Sequence, residues 1–397
     1  MAISGGTYVI IQHASYLRDR GINVTLAVQE PFSSATLAWH DQASQLRCLP
    51  MEQAKAESFD LVIATWWKTA FEISHFEARH YAYFVQSIES RFYPEDETSL
   101  RALVNSTYHI PLTYVTEASW IRDYLSEKFG QTATLVRNGI RKDVYQASGP
   151  TVSPRPDRQP RVLIEGPFGV SFKNTALSIR LAREAGARVI WVLTSSPVRW
   201  IPGVSRVFSR VPMQKTAEIY RSCDVLIKLS TVEGMFGPPL EIFHCGGTAI
   251  VFDVTGHDEY IVDGVNALVI PRGEADTVVH AIRTLLNDRT TLKRLKDGAL
   301  QTAAAWPSWE QSSEAFLRWV ESTFQAPAAD RATLKTMAAN AYLNYRRDEQ
   351  QRLRENPRIV RRHKLSALAS RLPASLIRLI KQLEAAGEVL FRGKKAY

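Results

Sequence analysis

Cysteine is scarce in this sequence, and long apolar stretches are absent. The three cysteines, Cys48, Cys223 and Cys245, lie far apart and show neither a CxxC pair nor a Cys/His ligand spacing, so we expect no disulfide framework and no structural zinc site. No apolar run approaches the ~18 to 20 residues that span a bilayer. The N-terminus also lacks the basic, apolar and small-residue succession of a signal peptide. These features predict a cytoplasmic protein, and 397 residues suffice for two domains.

The first 330 residues also lack an excess of basic side chains. Residues 331–397 contain 16 Lys and Arg against 5 Asp and Glu, an excess larger than the formal charge of +9 for the whole chain. The preceding part is therefore close to neutral, and the basicity belongs to the C-terminal segment. Such a charge asymmetry predicts contact with an anionic surface, either membrane lipid or nucleic acid.

Short β-branched runs alternate with helical patterns through the first 150 residues. The predicted strands cover 24–28, 61–64, 81–85 and 114–116. One helical pattern begins at Gly5 and can end at Gly21, and another covers 118–129 with Gly130 as its stop. This alternation predicts a parallel sheet that is covered on both faces.

A second alternation follows residues 149–160, whose Pro, Ser, Arg and Asp content suits a linker. The predicted strands are 162–165, 189–193, 225–229 and 249–252. The predicted helices are 174–185, 216–221, 239–245 and 275–287. The sequence therefore predicts a second α/β domain that ends near residue 325.

The segment 231–241 lies between a buried apolar strand and a helix. Gly234 and Gly237 permit a close backbone approach, and the prolines that follow suit a first helical turn. A helix N-terminus presents unpaired N–H groups and partial positive charge, which suit a diphosphate. Glu233 and Glu241 would then accept hydrogen bonds from sugar and ribose hydroxyls. The residues alone leave a second interpretation open, in which the loop only turns the chain and the acids favour the helix dipole.

The nine residues 233–241 resemble the Glu-x7-Glu signature of family-4 retaining glycosyltransferases. This resemblance implies the α/β GT-B fold, in which two Rossmann-like domains face a cleft and the C-terminal domain binds the nucleotide-sugar donor. It implies an N-terminal acceptor domain over 1–150, a donor domain over 151–325 and a helical basic extension over 326–397.

Two other segments resemble the same family in the expected order. Residues 136–140 resemble the Pro-Asn-Gly-Val segment that closes the N-terminal domain, with Arg137 at the proline position and Asn138 at the asparagine. Residues 255–269 resemble a Gly-x-x-Glu…Asp-Gly-x-x-Gly-x-Leu stretch, for which ordinary turn chemistry is the simpler explanation. The concurrence of these segments supports the resemblance more than any one of them.

A further segment, 164–168 followed by Lys173, resembles the family's strand-end Gly-Arg…Lys motif, whose basic side chains meet the donor diphosphate. Lys173 matches this motif, whereas Pro167 stands where the arginine is expected. One basic contact with the donor diphosphate therefore lacks its usual arginine. Lys228 and Arg199 are the candidates to supply that positive charge.

Gly5 and Gly6 resemble the glycine loop that follows the family's first strand. The backbone N–H groups of that loop face the diphosphate, which makes both glycines candidates for donor binding. Almost no residues precede them, so we expect the first strand to be lacking from its usual place in the sheet.

Gln86 and Glu89 follow a predicted strand where the family has a His-Asp pair. They are the acceptor-side candidates, and the alternative is that they only cap the next segment. Four aromatic side chains nearby could stack on sugar faces or belong to the core: Trp66, Trp67, Phe92 and Tyr93. The run from Gln86 to Glu89 is similar to that of rhamnosyltransferases of bacterial surface-glycan assembly.

The resemblance implies a metal-independent retaining glycosyltransferase, and the sequence has no Asp-x-Asp pair in a suitable loop. The enzyme would move a sugar from a nucleoside-diphosphate sugar to a glycan or lipid-linked acceptor in bacterial surface polysaccharide assembly. The similarity to rhamnosyltransferases implies rhamnose as the sugar, and the donor would be dTDP-rhamnose or a UDP- or GDP-sugar. No metal and no cofactor are expected. The candidate catalytic residues are Glu233, Lys173, Gln86 and Glu89. The candidate donor-binding residues are Gly5, Gly6, Asn138, Gly166, Lys173, Gly234, Met235, Phe236, Gly237 and Glu241.

Apolar and cationic residues are interleaved at helical spacing in the C-terminal segment. The apolar residues are Leu365, Leu368, Leu372, Leu376, Leu379, Ile380 and Leu383. The cationic residues are Arg362, Lys364, Arg371, Arg378 and Lys381. The pattern predicts amphipathic helices, divided at Pro373, with a cationic face that docks on anionic lipid at the inner side of the membrane. The alternative is that the leucines pack on the globular body.

Two other kinds of function are compatible with these observations. A nucleotide-sugar epimerase or a glycogen-type phosphorylase would share the architecture. A non-catalytic nucleic-acid-binding protein would use the basic tail, but the tail has few interleaved aromatics and the body carries no basic stripe. We therefore expect no nucleic-acid partner.

Overall fold

The computed structural model describes residues 3–355 and 373–391, whose strands form three sheets with parallel pairing throughout. The strands of the first half are β1 (Thr25–Val28), β2 (Arg47–Pro50), β3 (Ser58–Ala64), β4 (Glu77–Val85), β5 (Thr113–Thr116) and β6 (Ala133–Leu135). Those of the second half are β7 (Val162–Glu165), β8 (Ile190–Thr194), β9 (Arg206–Ser209), β10 (Val225–Lys228), β11 (Thr248–Phe252) and β12 (Ala267–Ile270). The prediction of two α/β halves with parallel sheets is confirmed.

Helices cover both faces of the sheets. They are α1 (Gly5–Asp19), α2 (Ser34–Leu37), α3 (Met51–Ala54), α4 (Trp67–Glu72), α5 (Thr98–Ser106), α6 (Ser119–Phe129), α7 (Thr175–Glu184), α8 (Met213–Arg221), α9 (Gly237–His244), α10 (Ala275–Asn287), α11 (Arg289–Ala305), α12 (Trp309–Thr323), α13 (Arg331–Glu355) and α14 (Ala374–Phe391). The predicted helix ends are confirmed: Gly21 and Gly130 follow α1 and α6 with φ of 82° and 67°, a conformation that glycine adopts without strain.

The six-stranded sheet of the second half has the order β12-β11-β10-β7-β8-β9. Its central strands β7 and β10 are rich in Val, Leu and Ile and are almost entirely buried, as expected for a parallel sheet covered on both faces. Because β7 and β10 are adjacent and parallel, the segments that follow them emerge at the same edge of the sheet. This edge carries the candidate donor site.

The sheet of the first half is split. Strands β3, β4, β5 and β6 form one parallel sheet and β1 pairs only with β2, so that β1 and β3 do not pair with each other. Residues of both β1 and β3 line one cavity, which places a gap between their facing edges. The family resemblance implies that the family's first strand would occupy this gap.

The chain crosses between the halves at two adjacent segments. Ile140, after β6, forms a parallel bridge with Ser308, just before α12. A Cβ at Gly139 would lie 2.3 Å from the Ser308 carbonyl oxygen, so only glycine allows this approach. Helix α12 then packs on α1, where the Phe316 ring stacks on His13 with centroids 4.2 Å apart. The division into domains at residues 150 and 325 stays a prediction, and α12 lies on the first half.

The C-terminal helices cover both halves. Helix α13 packs on α4 and α5 of the first half, and α14 packs on α7 of the second half through the buried Ala385 and Val389. Helix α14 begins directly after Pro373, as the predicted division requires. Six residues of the predicted amphipathic pattern lie outside the described residues: Arg362, Lys364, Leu365, Leu368, Arg371 and Leu372. None of the helices in the described ranges is both long and apolar enough to cross a bilayer.

Candidate functional site

A cavity of about 890 Å³ lies between the two halves and extends into the gap between β1 and β3. It is lined by eleven of the predicted site residues: Gly5, Gly6, Gln86, Glu89, Asn138, Lys173, Glu233, Gly234, Met235, Gly237 and Glu241. The segments after β4, β7 and β10 thus bring together side chains that are far apart in sequence. Parallel α/β sheets typically bind ligands at this carboxyl edge.

Two predicted donor-binding residues, Phe236 and Gly166, do not line the cavity, and their role in donor binding stays a prediction. The Phe236 side chain is fully buried, because it belongs to the core beneath α9. Gly166 has φ of 151°, and a Cβ there would lie 2.6 Å from Thr175 Oγ1. Gly166 therefore serves the turn between β7 and α7.

The segment 231–236 joins β10 to the N-terminus of α9. Helix α9 begins at Gly237, and two prolines occupy its first turn, where the lost N–H donors have no helical partner. Glu233 lies in the loop itself, and Glu241 lies in the second turn of the helix. Both line the cavity beside the helix N-terminus, as the sequence predicts.

Glu233 lies between two lysines. Its Oε2 accepts a hydrogen bond from Lys173 Nζ at 2.7 Å, and its Oε1 lies 3.9 Å from Lys228 Nζ. Burial works to raise the pKa of the Glu233 carboxyl, but the two lysines outweigh burial and hold that pKa below its usual value. Among the described residues, Glu233 Oε1 is buried without a hydrogen-bond partner. An acceptor of this kind suits a ligand hydroxyl.

Lys228 supplies the second positive charge of the site. It ends β10, is almost completely buried, and donates to the carboxylate of Glu165 at the end of β7. Burial works to lower the pKa of Lys228, but Glu165 and Glu233 outweigh it and raise that pKa. Arg199, the other candidate, does not line the cavity; its backbone N–H donates to Gln382 of α14 at 2.8 Å. Arg199 is therefore not a residue of this site.

Glu241 lies deeper along α9, where the neighbouring hydroxyls of Tyr220 and Tyr145 act to lower the pKa of its carboxyl. Burial raises the pKa of Glu241 to about 7, and the charge of Glu165 adds to this effect. Both tyrosines also line the cavity. This part of the cavity therefore offers one carboxyl and two hydroxyls to a polyhydroxylated ligand.

The first half contributes the N-terminus of α1 and the end of β4. Gly5 and Gly6 are the first two residues of α1, and a Cβ at Gly6 would lie 3.3 Å from Gln86 Oε1. Within the described part of the chain, Gln86 Oε1 is a buried acceptor that lacks a hydrogen-bond partner. The cavity thus contains an unused acceptor on each of its two sides.

Glu89 lines the cavity and also stabilises the start of α4. Its Oε2 accepts from the backbone N–H of Trp67 at 2.7 Å and from the Tyr83 hydroxyl at 3.2 Å. Trp67 is the first residue of α4, so Glu89 caps a helix that precedes it in the chain and not the segment that follows it. Burial raises the pKa of Glu89 to about 8.

The four aromatic residues near Glu89 fall into two groups. Trp66 and Phe92 are partly exposed and line the cavity. Trp67 belongs to the core, and its Nε1 donates to the Tyr93 hydroxyl at 3.1 Å. Only the first pair is placed to stack on a ligand.

Two acidic residues join the halves: Glu117, which the sequence reasoning missed, and Glu259, the glutamate of the predicted Gly-x-x-Glu stretch. Glu117, directly after β5, accepts from the backbone N–H of Met235 across the cleft. Glu259 accepts from the backbone N–H of Ser119 at 2.5 Å and from Arg137 Nε at 3.2 Å, so a second-half acid caps α6 of the first half. Residues 255–269 do not line the cavity. The rule that singled out Gln86, a polar residue at a strand end, also applies to Glu117.

The fold and the cavity define the class of this protein: a GT-B architecture, with Rossmann-like halves that face a cleft. Residues 201–302, which include the loop and α9, match the family model for glycosyl transferases group 1. The chain is similar in structure to Anabaena Alr3699/HepE in complex with UDP and glucose, with a TM-score of 0.64 at 14% identity over 80% of this chain and 96% of that one. The predicted resemblance to a GT-B glycosyltransferase is confirmed.

Two curated proteins are similar in sequence. The O-antigen biosynthesis protein RfbC of Myxococcus xanthus is 24% identical over 303 residues, which cover 72% of this chain and 23% of that protein. The D-inositol 3-phosphate glycosyltransferase of Nocardia farcinica is 28% identical over 163 residues, which cover 41% of this chain and 33% of that protein. The matches span a third or less of the length of these relatives.

Proposed function

We propose that this chain is a retaining glycosyltransferase that moves a sugar from a nucleoside-diphosphate sugar to a glycan or lipid-linked acceptor in bacterial surface polysaccharide assembly. The observation that carries the proposal is Glu233, which is held between Lys173 and Lys228 and whose Oε1 has no hydrogen-bond partner among the described residues. The match to the glycosyl transferases group 1 family, the O-antigen biosynthesis role of RfbC and the UDP and glucose in the HepE complex support the same class of substrate.

In this proposal the donor diphosphate lies at the N-terminus of α9 beside Lys173 and Lys228. The helix terminus and the two lysines would stabilise the charge that develops on the leaving diphosphate. Because protein groups supply this positive charge, we expect the reaction to need neither a metal nor a cofactor. Glu233 would accept from a hydroxyl of the transferred sugar, and Glu241 would hold the ribose.

The acceptor is expected at the first-half side of the cavity, near Gln86 and Glu89. Since the pKa of Glu89 is about 8, its carboxyl would carry a proton at neutral pH and donate a hydrogen bond to the acceptor. The acceptor proton would pass to the departing phosphate oxygen on the face where the new bond forms. Such a front-face route retains the anomeric configuration and needs no strong protein base.

A thermal-shift panel of dTDP-rhamnose and of UDP-, GDP- and ADP-sugars tests the donor proposal. A ligand that binds only the folded state raises the melting temperature. We expect one donor class to raise the melting temperature, with rhamnose as the sugar, and the shift to persist in EDTA.

A product assay separates the other functions of the same fold. Product formed without an acceptor would indicate an epimerase, and product that requires free phosphate would indicate a phosphorylase. No shift with any sugar nucleotide would overturn the proposal.

We also propose that the enzyme works at the inner face of the membrane through a leucine stripe on α14. The stripe consists of four exposed leucines on one helical face: Leu376, Leu379, Leu383 and Leu390. The opposite face of α14 is buried against α7 through Ala385 and Val389. The four leucines of the stripe are exposed and do not pack on the globular body. Lys381, five residues after Leu376, lies on the other side of the helix from the stripe, and the predicted docking of a cationic face stays a prediction.

Trp200 extends the leucine stripe. Its side chain is 62% exposed, and its carbonyl oxygen accepts from Gln382 Nε2 of α14 at 2.5 Å. The loop that carries Trp200 follows β8, whose end lines the cavity. The chain before and after α14 supplies positive charge, since residues 356–372 contain five Arg and Lys with no acid and 392–397 contain three. Leucines and a tryptophan beside basic segments favour an anionic bilayer as the partner.

A further inference from the structure

Glu117 uses one carboxylate oxygen within the first half and the other to contact the donor loop. Oε1 accepts from the backbone N–H of Met235 at 3.0 Å, and Oε2 accepts from Asn138 Nδ2 at 2.7 Å. Only 6% of the Glu117 side chain surface is exposed. A buried carboxylate that accepts from both halves fixes their relative position at this point.

The same short loop is held at two further points. Trp120 Nε1 donates to the carbonyl oxygen of Gly234 at 2.9 Å, and Ser87 Oγ donates to that of Glu233 at 3.5 Å. A Cβ at Gly234 would lie 2.0 Å from the carbonyl oxygen of Gln86, so the loop approaches the first half at a distance that only glycine allows. The first half therefore contacts three successive residues of the loop.

We propose that Glu117 is a positioning residue that sets the conformation of the loop 233–235 by holding the Met235 N–H. The inference rests on the proposed function, because the loop places the Glu233 carboxylate between Lys173 and Lys228. Glu117 acts through the backbone of Met235. Since the Met235 N–H is occupied, the diphosphate receives its hydrogen bonds from the lysines and from other donors at the start of α9.

Two variants separate positioning from simple burial of an acid. Glu117→Gln keeps an oxygen that accepts from Met235, and its new amide can donate to Asn138 Oδ1 once the Asn138 amide turns over. Asn138 Oδ1 is buried and lacks a partner among the described residues, so this exchange gives that oxygen a donor and keeps one hydrogen bond between the two side chains. Glu117→Ala removes the acceptor and leaves the Met235 N–H unpaired. Glu127→Ala, at an exposed acid on α6, is the matched control.

Hydrogen exchange of the segment 231–236 in the free protein tests the positioning without any substrate. We expect exchange at Met235 to be roughly tenfold faster in Glu117→Ala and close to wild type in Glu117→Gln and Glu127→Ala. Equal exchange in all four proteins would overturn the inference. Because hydrogen exchange needs no sugar nucleotide, it tests the role of Glu117 even if the proposed function is wrong.

Steady-state transfer and nucleotide binding complete the test. In Glu117→Ala we expect kcat/KM for the sugar nucleotide to fall roughly tenfold or more, with the affinity for the nucleoside monophosphate within about threefold of wild type, because that ligand does not need the loop. Glu117→Gln should recover most of the activity. An equal loss in both Glu117 variants, or an equal loss of nucleoside monophosphate binding, would assign Glu117 a merely structural role.

Discussion

Lys173 Nζ and Glu233 Oε2 form a 2.7 Å ion pair that joins the segment before α7 to the loop before α9. The two segments follow neighbouring strands, so the pair closes the carboxyl edge of the second-half sheet at its centre. A buried ion pair costs desolvation energy, which must be offset by geometry or function. Its place in the cavity makes function the better explanation.

Glu233→Gln should lower kcat roughly tenfold or more while the fold stays intact. The substitution keeps the shape of the side chain but removes the charge that balances Lys173 and Lys228. Steady-state transfer with the donor found by thermal shift measures the loss, and circular dichroism checks the fold. The exposed acid Glu321 on α12 provides the control Glu321→Gln, and an unchanged kcat in Glu233→Gln would defeat the assignment.

Glu241→Gln should weaken donor binding with little change in kcat. The pKa of Glu241 is about 7, and its carboxylate form is the better acceptor for a ribose hydroxyl. Donor affinity in the wild type should therefore increase as the pH rises through 7. Titration calorimetry at several pH values measures this, and the same pH slope in Glu241→Gln would show that another group is responsible.

Glu89→Gln should reduce the loss of stability at alkaline pH. An unfolded glutamate releases its proton near pH 4.5, whereas folded Glu89 keeps it up to about pH 8. Between these values the unfolded state binds fewer protons, so the free energy of unfolding falls as the pH rises, on the order of 3 kcal/mol for this group. Urea unfolding at pH 5 and pH 8 tests this.

The Gln variant at position 89 should lose less stability than the wild type over this pH range. Glu117 and Glu241, whose pKa values are also raised by burial, leave a residual slope of the same sign. The exposed Glu127→Gln serves as the control and should follow the wild type. Parallel slopes in all three proteins would contradict the burial argument.

The leucine stripe with Trp200 should account for vesicle binding. We expect the full chain to co-sediment with phosphatidylcholine vesicles that contain phosphatidylglycerol, and the triple variant Trp200→Ser, Leu379→Ser, Leu383→Ser to bind roughly tenfold more weakly. Leu343→Ser is the matched control, because Leu343 on α13 is similarly exposed.

Equal binding by the triple variant would reject the docking surface. Conversion of a dimer into a monomer by the same substitutions, without vesicle binding by the wild type, would instead assign the surface to self-association. Donor-induced thermal shifts in the variant report separately on the active site.

Gly139→Ala should destabilise the protein by about 1–3 kcal/mol, because the new methyl group meets the backbone of Ser308. Gly387→Ala, where a Cβ meets nothing within 4 Å, is the control and should be neutral or slightly stabilising. Thermal and urea unfolding measure both. A neutral effect at Gly139 would show that the two crossing segments can separate at little cost.

The buried strands and their helices were predictable because each carries a local signal. The apolar run of β10 and the stop at Gly130 show this. Strands β2, β6, β9 and β12 were missed because they have only three or four residues and partly exposed sides.

Of the site, the lysine and the two acids around α9 were predictable from motif spacing. The Glu117 contact was not, because it joins residues 118 positions apart and depends on how the halves meet. The burial of Phe236 could not be foreseen, because a motif position does not tell which way a side chain points. The place of Gly166 outside the cavity lining could not be foreseen either, since a glycine can serve a turn as readily as a ligand.

The paired crossings at Gly139 and Ser308 restrict how the two halves can move. Ile140 N–H donates to the Pro307 carbonyl, and Trp309 N–H donates to the Ile140 carbonyl. These two hydrogen bonds hold together the segment that leaves the first half and the segment that returns to it. If the halves rotate apart about this paired segment, the sheets of both halves stay intact. Opening for substrate entry would then require the release of the loop 233–235 from Glu117, Trp120 and Ser87 and of α6 from Glu259.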